Sequence, residues 1–226
     1  MIKKDMFKHI VAIRTAKNNS IIGGTGFFIK TEDKIYLVTA NHVARDTTIQ
    51  TDIWVRNLVT GMPTSFKINQ LNPMVIWLYH PTADIAILEV TKTKDMDLAQ
   101  YILDLQLFVN DFNIIPERES TLTMYGMPDV YTDLTFSPFT CDSKPASDLW
   151  VSYFEITGSM YKCFMLDKPS TQGFSGGPVV CLENPEKPIF YGIIHGTIND
   201  DTGGKLAVVV HSAYLFELIQ YAQENQ

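Results

Sequence analysis

The sequence predicts an all-β protein of two lobes with a single C-terminal helix. Short apolar runs, five to eight residues long and rich in Val, Ile, Phe, Tyr and Thr, recur between turn residues along most of the chain. One polar, proline-bearing pause, "NDFNIIPERES" at 110–120, divides them into two comparable sets. Only one segment has helical spacing. In order, the strand candidates are 8–15, 24–30, 34–40, 51–58, 64–70, 74–79 and 84–91. After a gap come 104–109, 120–126, 150–157, 160–166, 177–182, 188–195 and 205–211. Many short strands at close spacing imply a sandwich or barrel assembly. The helix is "SAYLFELIQYAQ", 212–223, with Leu215, Leu218, Ile219 and Ala222 on one face and Ser212 as the expected N-cap. The expected division is 1–112 for the first lobe and 113–226 for the second.

Composition narrows the function classes. The chain has 226 residues, is 46% hydrophobic, and carries a net charge of −7. It can bury a sizeable core, and it lacks the basic stripe of a nucleic-acid binder. No run of about 18 apolar residues predicts a membrane helix. The N-terminal apolar stretch is broken by Lys8, His9 and Arg14 and does not read as a signal peptide. Cys141, Cys163 and Cys181 are an odd number without CxxC spacing, so neither a disulfide framework nor a zinc site is expected, and a reducing cytoplasm is the simpler setting. Cys163 and Cys181 read as small buried hydrophobes.

The chemistry starts at "STQGFSGGPVV", 170–180. Glycines on both sides of Ser175 permit a tight turn that exposes the hydroxyl. Such a turn can also aim the N–H groups of Gly173 and Ser175 at one point, forming an oxyanion hole for acyl transfer. A serine nucleophile needs a base. Of the five histidines, His42 stands out, because it follows the apolar strand of "KIYLVTANHVA" at a rigid, accessible strand end. Asp84, at the head of the apolar "IAIL", would be buried there and needs a hydrogen-bonding partner, which an imidazole N–H supplies. His80, close to Asp84, is the rival base. His9 and His211 sit in strand-like runs and read as structural.

The segments "GTGFFI", "YLVTANHV", "ADIAILEV", "TQGFSGGPVV" and "FYGIIHG" resemble the trypsin/chymotrypsin-like serine peptidases, including bacterial and HtrA-like members. The resemblance spans roughly 24–220. It implies two six-stranded antiparallel β-barrels with the site between them. It also implies Ser175 as nucleophile, His42 as general acid/base, Asp84 as orienting carboxylate, and the Gly173 and Ser175 N–H groups as oxyanion hole. The implied activity is that of a serine endopeptidase acting on protein or peptide substrates, with no metal, no cofactor, no nucleic acid and no membrane. A second reading stays open: a binding module of the same fold, or a protease gated by a regulatory protein partner.

Two positions depart from the digestive members. Where those carry an aspartate that pairs with a new N-terminus after zymogen cleavage, this chain has Phe174. "SIIGG" at 20–24 looks like such a terminus but lies too close to His42 and merges into a strand. No activation of that kind is therefore expected, and Phe174 is expected to pack into the second lobe. Where trypsin has the aspartate that binds basic side chains, this chain has Pro169. A specificity pocket walled by Ser170, Thr171, His195 and Thr197 would resemble that of glutamate- or glutamine-preferring relatives. For His195 the alternative is a structural place near Asp84 on the cleft floor.

Overall fold

The computed structural model describes residues 3–18, 20–91, 97–128 and 136–224. The first sheet is built from β1 (Ile10–Lys17), β2 (Ser20–Lys30), β3 (Ile35–Thr39), β4 (Asp52–Arg56), β5 (Pro63–Lys67), β6 (Trp77–Tyr79), β7 (Ala86–Glu89) and β8 (Ile102–Asp104). Its order is β5-β4-β1-β2-β3-β7-β6, and β8 joins β2 in parallel. The second sheet holds β9 (Leu122–Gly126), β10 (Phe139–Ser143), β11 (Trp150–Phe154), β12 (Ser159–Leu166), β13 (Pro178–Cys181), β14 (Ile189–Asn199) and β15 (Lys205–His211). Its order is β10-β9-β13-β14-β15-β12-β11, antiparallel throughout. Among the described residues the two sheets hold eight and seven strands, where the resemblance implied six each. The difference lies partly in short strands: β6 and β8 have three residues each.

β1 and β2 form a long hairpin that is buried on both faces: Ile10 and Phe27 enter one apolar cluster, and Val11, Ile13 and Phe28 enter another. One apolar cluster is confined to the first sheet, around Phe28, Leu37, Val43 and Leu88, and another to the second, around Met124, Phe164, Phe174 and Val209. A third joins both sheets and the C-terminal helix, through Phe27, Tyr36, Tyr125, Phe190, Val208 and Leu215. Phe27, Phe108 and Phe190 stack in series within it, with ring centroids 5.4 and 4.5 Å apart. The shared cluster fixes the two halves of the cleft against each other.

Three local expectations need correction. Residues 104–109 do not form a strand: Leu105–Leu107 is a 3-10 turn, because the Asp104 carboxylate accepts from the Gln106 N–H and starts a turn. The helix, α2, runs Ala213–Glu224, but Ser212 does not cap it. The Ser212 hydroxyl instead donates to Val109 O at 2.6 Å, and the His211 Nδ1 accepts from the Ala213 N–H at 3.1 Å. The N-terminal run 8–15 starts later, at Ile10, after a 3-10 helix at Lys3–His9. All three cysteines are free, and Cys163 and Cys181 are buried. Among the described residues no helix is long and apolar enough to cross a membrane.

Candidate active site

β3 ends at Thr39 and the chain turns at Ala40 into α1 (Asn41–Arg45), a short helix with apolar Val43 and Ala44 buried beneath it. This places His42 at the rim, partly exposed. Asp84 arrives from the other side, on the loop that leads into β7. That loop is held by His80, whose Nδ1 accepts the N–H groups of Thr82 and Ala83 and whose Nε2 meets Glu217 of α2 at 3.1 Å. His80 is therefore spent on loop structure.

Asp84 is 0% exposed. A buried carboxylate needs compensation, and among the described residues no lysine or arginine provides it. Three N–H groups do. The His42 backbone N–H donates to Oδ1 at 2.9 Å, the His42 Nδ1 to Oδ2 at 2.7 Å, and the His195 Nδ1 to the same Oδ2 at 2.5 Å. An ionised carboxylate only accepts, so both imidazoles carry their proton on Nδ1. Burial pushes the Asp84 pKa up, but the bonds from His195 and His42 and their charges outweigh it and hold the carboxyl well below the usual carboxylate range. Burial alone would lower the His42 pKa; the bond to Asp84 and the charges of Asp84 and Asp46 reverse this and raise it above the ordinary histidine value.

Ser175 sits on the turn between β12 and β13. Gly173 and Gly176 flank it at φ +89° and +85°, in the left-handed region that glycine tolerates. The turn is sewn to β14 by Gly176 N to Ile194 O and Ile194 N to Gly177 O, at 2.7 and 2.9 Å. From the first sheet, Thr25 of β2 grips it twice: the Thr25 N–H donates to Ser175 O at 2.8 Å and the Thr25 hydroxyl to Gly173 O at 2.6 Å. The same hydroxyl accepts the Met127 N–H. A Cβ on Gly24 would lie 2.8 Å from Ser175 O, so the approach of β2 requires a glycine there. Phe174 is 2% exposed and packs over Gly126, where an added Cβ would fall 2.2 Å from its Cγ. No acceptor among the described residues takes the N–H of Gly173 or Ser175, while the Phe174 N–H is bound to Thr171 O. The Ser175 hydroxyl donates to the His195 carbonyl at 2.9 Å.

The pocket residues divide. Ser170 and Thr197 join their hydroxyls at 2.9 Å, and Thr171 is exposed beside them. The His195 ring is turned to Asp84 and flanked by His42, Phe154 and Tyr161, with ring centroids 5.7, 5.9 and 6.1 Å away. A bulge in the β14–β15 ladder between Ile194 and Gly196 leaves His195 out of the strand pairing and frees its carbonyl. His42, Asp84 and His195 are metal-ligand types with ligand atoms within 4.8 Å of one another. Their spacing on Oδ2 is that of N–H···O bonds, and a metal would need both nitrogens deprotonated. Sequence reasoning missed Thr25; its one visible signal was the pair of glycines around it in "GGTGFF". It missed Arg14 as well, which is buried and donates to Gly24 O, Met127 O and Pro128 O between the two sheets.

A buried aspartate bound to a partly exposed histidine on the first sheet, with a serine on a glycine turn of the second, is an arrangement that the family comparison addresses directly: the model of the family described as Trypsin matches residues 5–219. The chain belongs to the trypsin family of serine proteases. Similar solved structures agree on the fold. The active form of the Rv3671c protease from M. tuberculosis has a TM-score of 0.66 at 15% identity, with 96% of this chain and 82% of that one covered. The MamO protease domain from Magnetospirillum magneticum gives 0.65 at 14%, covering 96% and 98%. A serine endoprotease from Yersinia pestis gives 0.57 at 14%, covering 98% of this trypsin-family chain and 66% of its own. No curated protein matches the sequence.

Proposed function

We propose that the chain is a serine endopeptidase in which Ser175, His42 and Asp84 form the catalytic triad. The observation that carries this reading is the fully buried Asp84 bound to both the backbone and the ring of His42. That pair of hydrogen bonds fixes the ring with Nδ1 protonated, leaving Nε2 as the basic atom. Ser175 Oγ attacks the substrate carbonyl carbon, and its proton passes to His42 Nε2. The amine product leaves with that proton, and an acyl-enzyme on Ser175 remains. Water then gives a proton to the same nitrogen and attacks the ester, releasing the acid and restoring Ser175. The N–H groups of Gly173 and Ser175 receive the oxyanion. Because apolar Phe174 holds the turn from within the second sheet's core, cleavage of an N-terminus is not needed to shape it. With Pro169 in place of a carboxylate, basic side chains are not the preferred substrates.

One observation favours a gated form of this activity: the resting Ser175 hydroxyl is bound to the His195 carbonyl. A substrate or a regulatory protein partner that occupies β14 would release it toward His42. Proteome cleavage profiling with Ser175→Ala as control tests the reading. Cleavages present only with the intact serine support it. Identical profiles for the two proteins, with and without added cell extract, contradict it.

A further inference from the structure

We infer that His195 is a positioning residue of the site: by sharing the Asp84 carboxylate oxygen with His42, it sets the basicity and the orientation of the His42 ring. The inference rests on the triad reading above. Its basis is geometric. Oδ2 receives two imidazole N–H groups, at 2.7 Å from His42 and 2.5 Å from His195. Asp84 has no exposed surface, so its compensation comes from these groups and the His42 backbone N–H. The His195 ring stands nearly perpendicular to those of His42 and Phe154, at 85° and 89°, and rests against Tyr161. It is partly exposed, and turning away from Asp84 would give up its contacts with these three rings. The bulge in β14 explains how a strand residue reaches this place. The same residue also holds the resting Ser175 hydroxyl through its carbonyl.

The consequence concerns charge. A second donor on Oδ2 spreads the carboxylate's negative charge over two imidazoles, so His42 feels less of it than it would alone. The groups that face His42 are Asp84 before β7, Asp46 after α1, and His195 on β14; Asp84 faces Tyr161 on β12 as well. Taking away the His195 N–H while leaving the other groups in place strengthens the hold of Asp84 on the His42 proton. The His42 titration then moves to higher pH.

The test uses His195→Leu, which keeps bulk and loses the donor, and His195→Asn, whose amide N–H can stand where Nδ1 stands. In full-length protein with isotope-labelled histidine, the His42 ring is titrated by NMR, and kcat/KM is measured alongside across pH. The expected result for His195→Leu is an upward shift of the His42 titration, an acid limb of kcat/KM displaced the same way, and a loss of about 10–100-fold at neutral pH, the size of one charge-assisted hydrogen bond. His195→Asn should return the titration toward its wild-type position and recover part of the loss. An unchanged or lowered His42 titration in a folded His195→Leu protein overturns the inference, as does failure of His195→Asn to move it back. If His195→Leu does not fold, His195→Phe, which fills the site with a ring and no donor, takes its place: an upward shift of the His42 titration supports the inference, and an unchanged or lowered one contradicts it. The NMR titration does not depend on turnover. A protein that shows the shift but cleaves nothing keeps the inference and removes the peptidase reading.

Discussion

The two halves of the candidate site are held by different physics. On the first sheet, His42 and Asp84 are fixed by charge: one buried carboxylate, three N–H donors, and an aspartate pKa held low against the effect of burial. On the second sheet, Ser175 is fixed by shape: glycines at positive φ, the buried Phe174 ring beneath, and backbone bonds to β14 and Thr25. Under the proposed triad, the first half must tolerate a change of charge on His42, which its buried counter-charge supplies, and the second half must place an uncharged hydroxyl and two N–H groups, which packing supplies. Substitutions in the first half should therefore act on rate and pH dependence, and those in the second on rate and stability together.

Asp84→Asn is the largest expected break in that pattern. It removes the counter-charge and favours the wrong His42 tautomer, so kcat should fall about 10⁴-fold with little change in fold, measured by peptide turnover and circular dichroism. Next comes Phe174→Ala. It empties a site among Leu122, Met124, Phe164 and Val209, and should cost about 3–5 kcal/mol in denaturant unfolding, with activity falling as well. Unchanged activity in a stable Phe174→Ala protein would remove the packing account of the turn. Thr25→Val keeps bulk but breaks the bonds to Gly173 O and from Met127 N–H; it should cost about 1–3 kcal/mol and lower kcat more than it raises KM.

The smallest effect is in the pH dependence of stability. The His42 pKa is raised in the folded state, so its contribution is fully present below the unfolded value of 6.5 and is lost as pH rises through the folded value. The Asp84 pKa is depressed, so its contribution is present above the unfolded value of 3.8 and is lost as pH falls. The Tm difference between wild type and His42→Ala should accordingly be greatest between these two values.

The residues of the candidate site were far more legible in the sequence than its supports. His42, Asp84 and Ser175 stand at strand ends and on a glycine turn, places that local residue type marks. Phe174 was legible because a large apolar side chain beside exposed chemistry has to be buried somewhere. For His195 the sequence left two places open, a pocket wall or a place near Asp84; the structure takes the second, by way of a bulge in β14, and one extra residue in a ladder changes which face a strand residue takes. The strand expected at 104–109 failed for a similar reason: the apolar pattern of "LQLF" outweighed, in the reading, an aspartate that starts a turn. The Ser212 cap failed because its hydroxyl had a better use, tying Val109 to the base of α2, while His211 supplied the cap. β10, Phe139–Ser143, carries too few apolar residues to announce itself.

The central claim is that Ser175 is a nucleophile activated by His42 on Asp84. Intact-protein mass after treatment with a fluorophosphonate probe tests it most directly. One adduct on the wild type, mapped to Ser175, absent in Ser175→Ala and strongly slowed in Asp84→Asn, is the predicted result. An adduct that persists in Ser175→Ala, or a wild-type protein that takes none with or without a bound peptide, would contradict it.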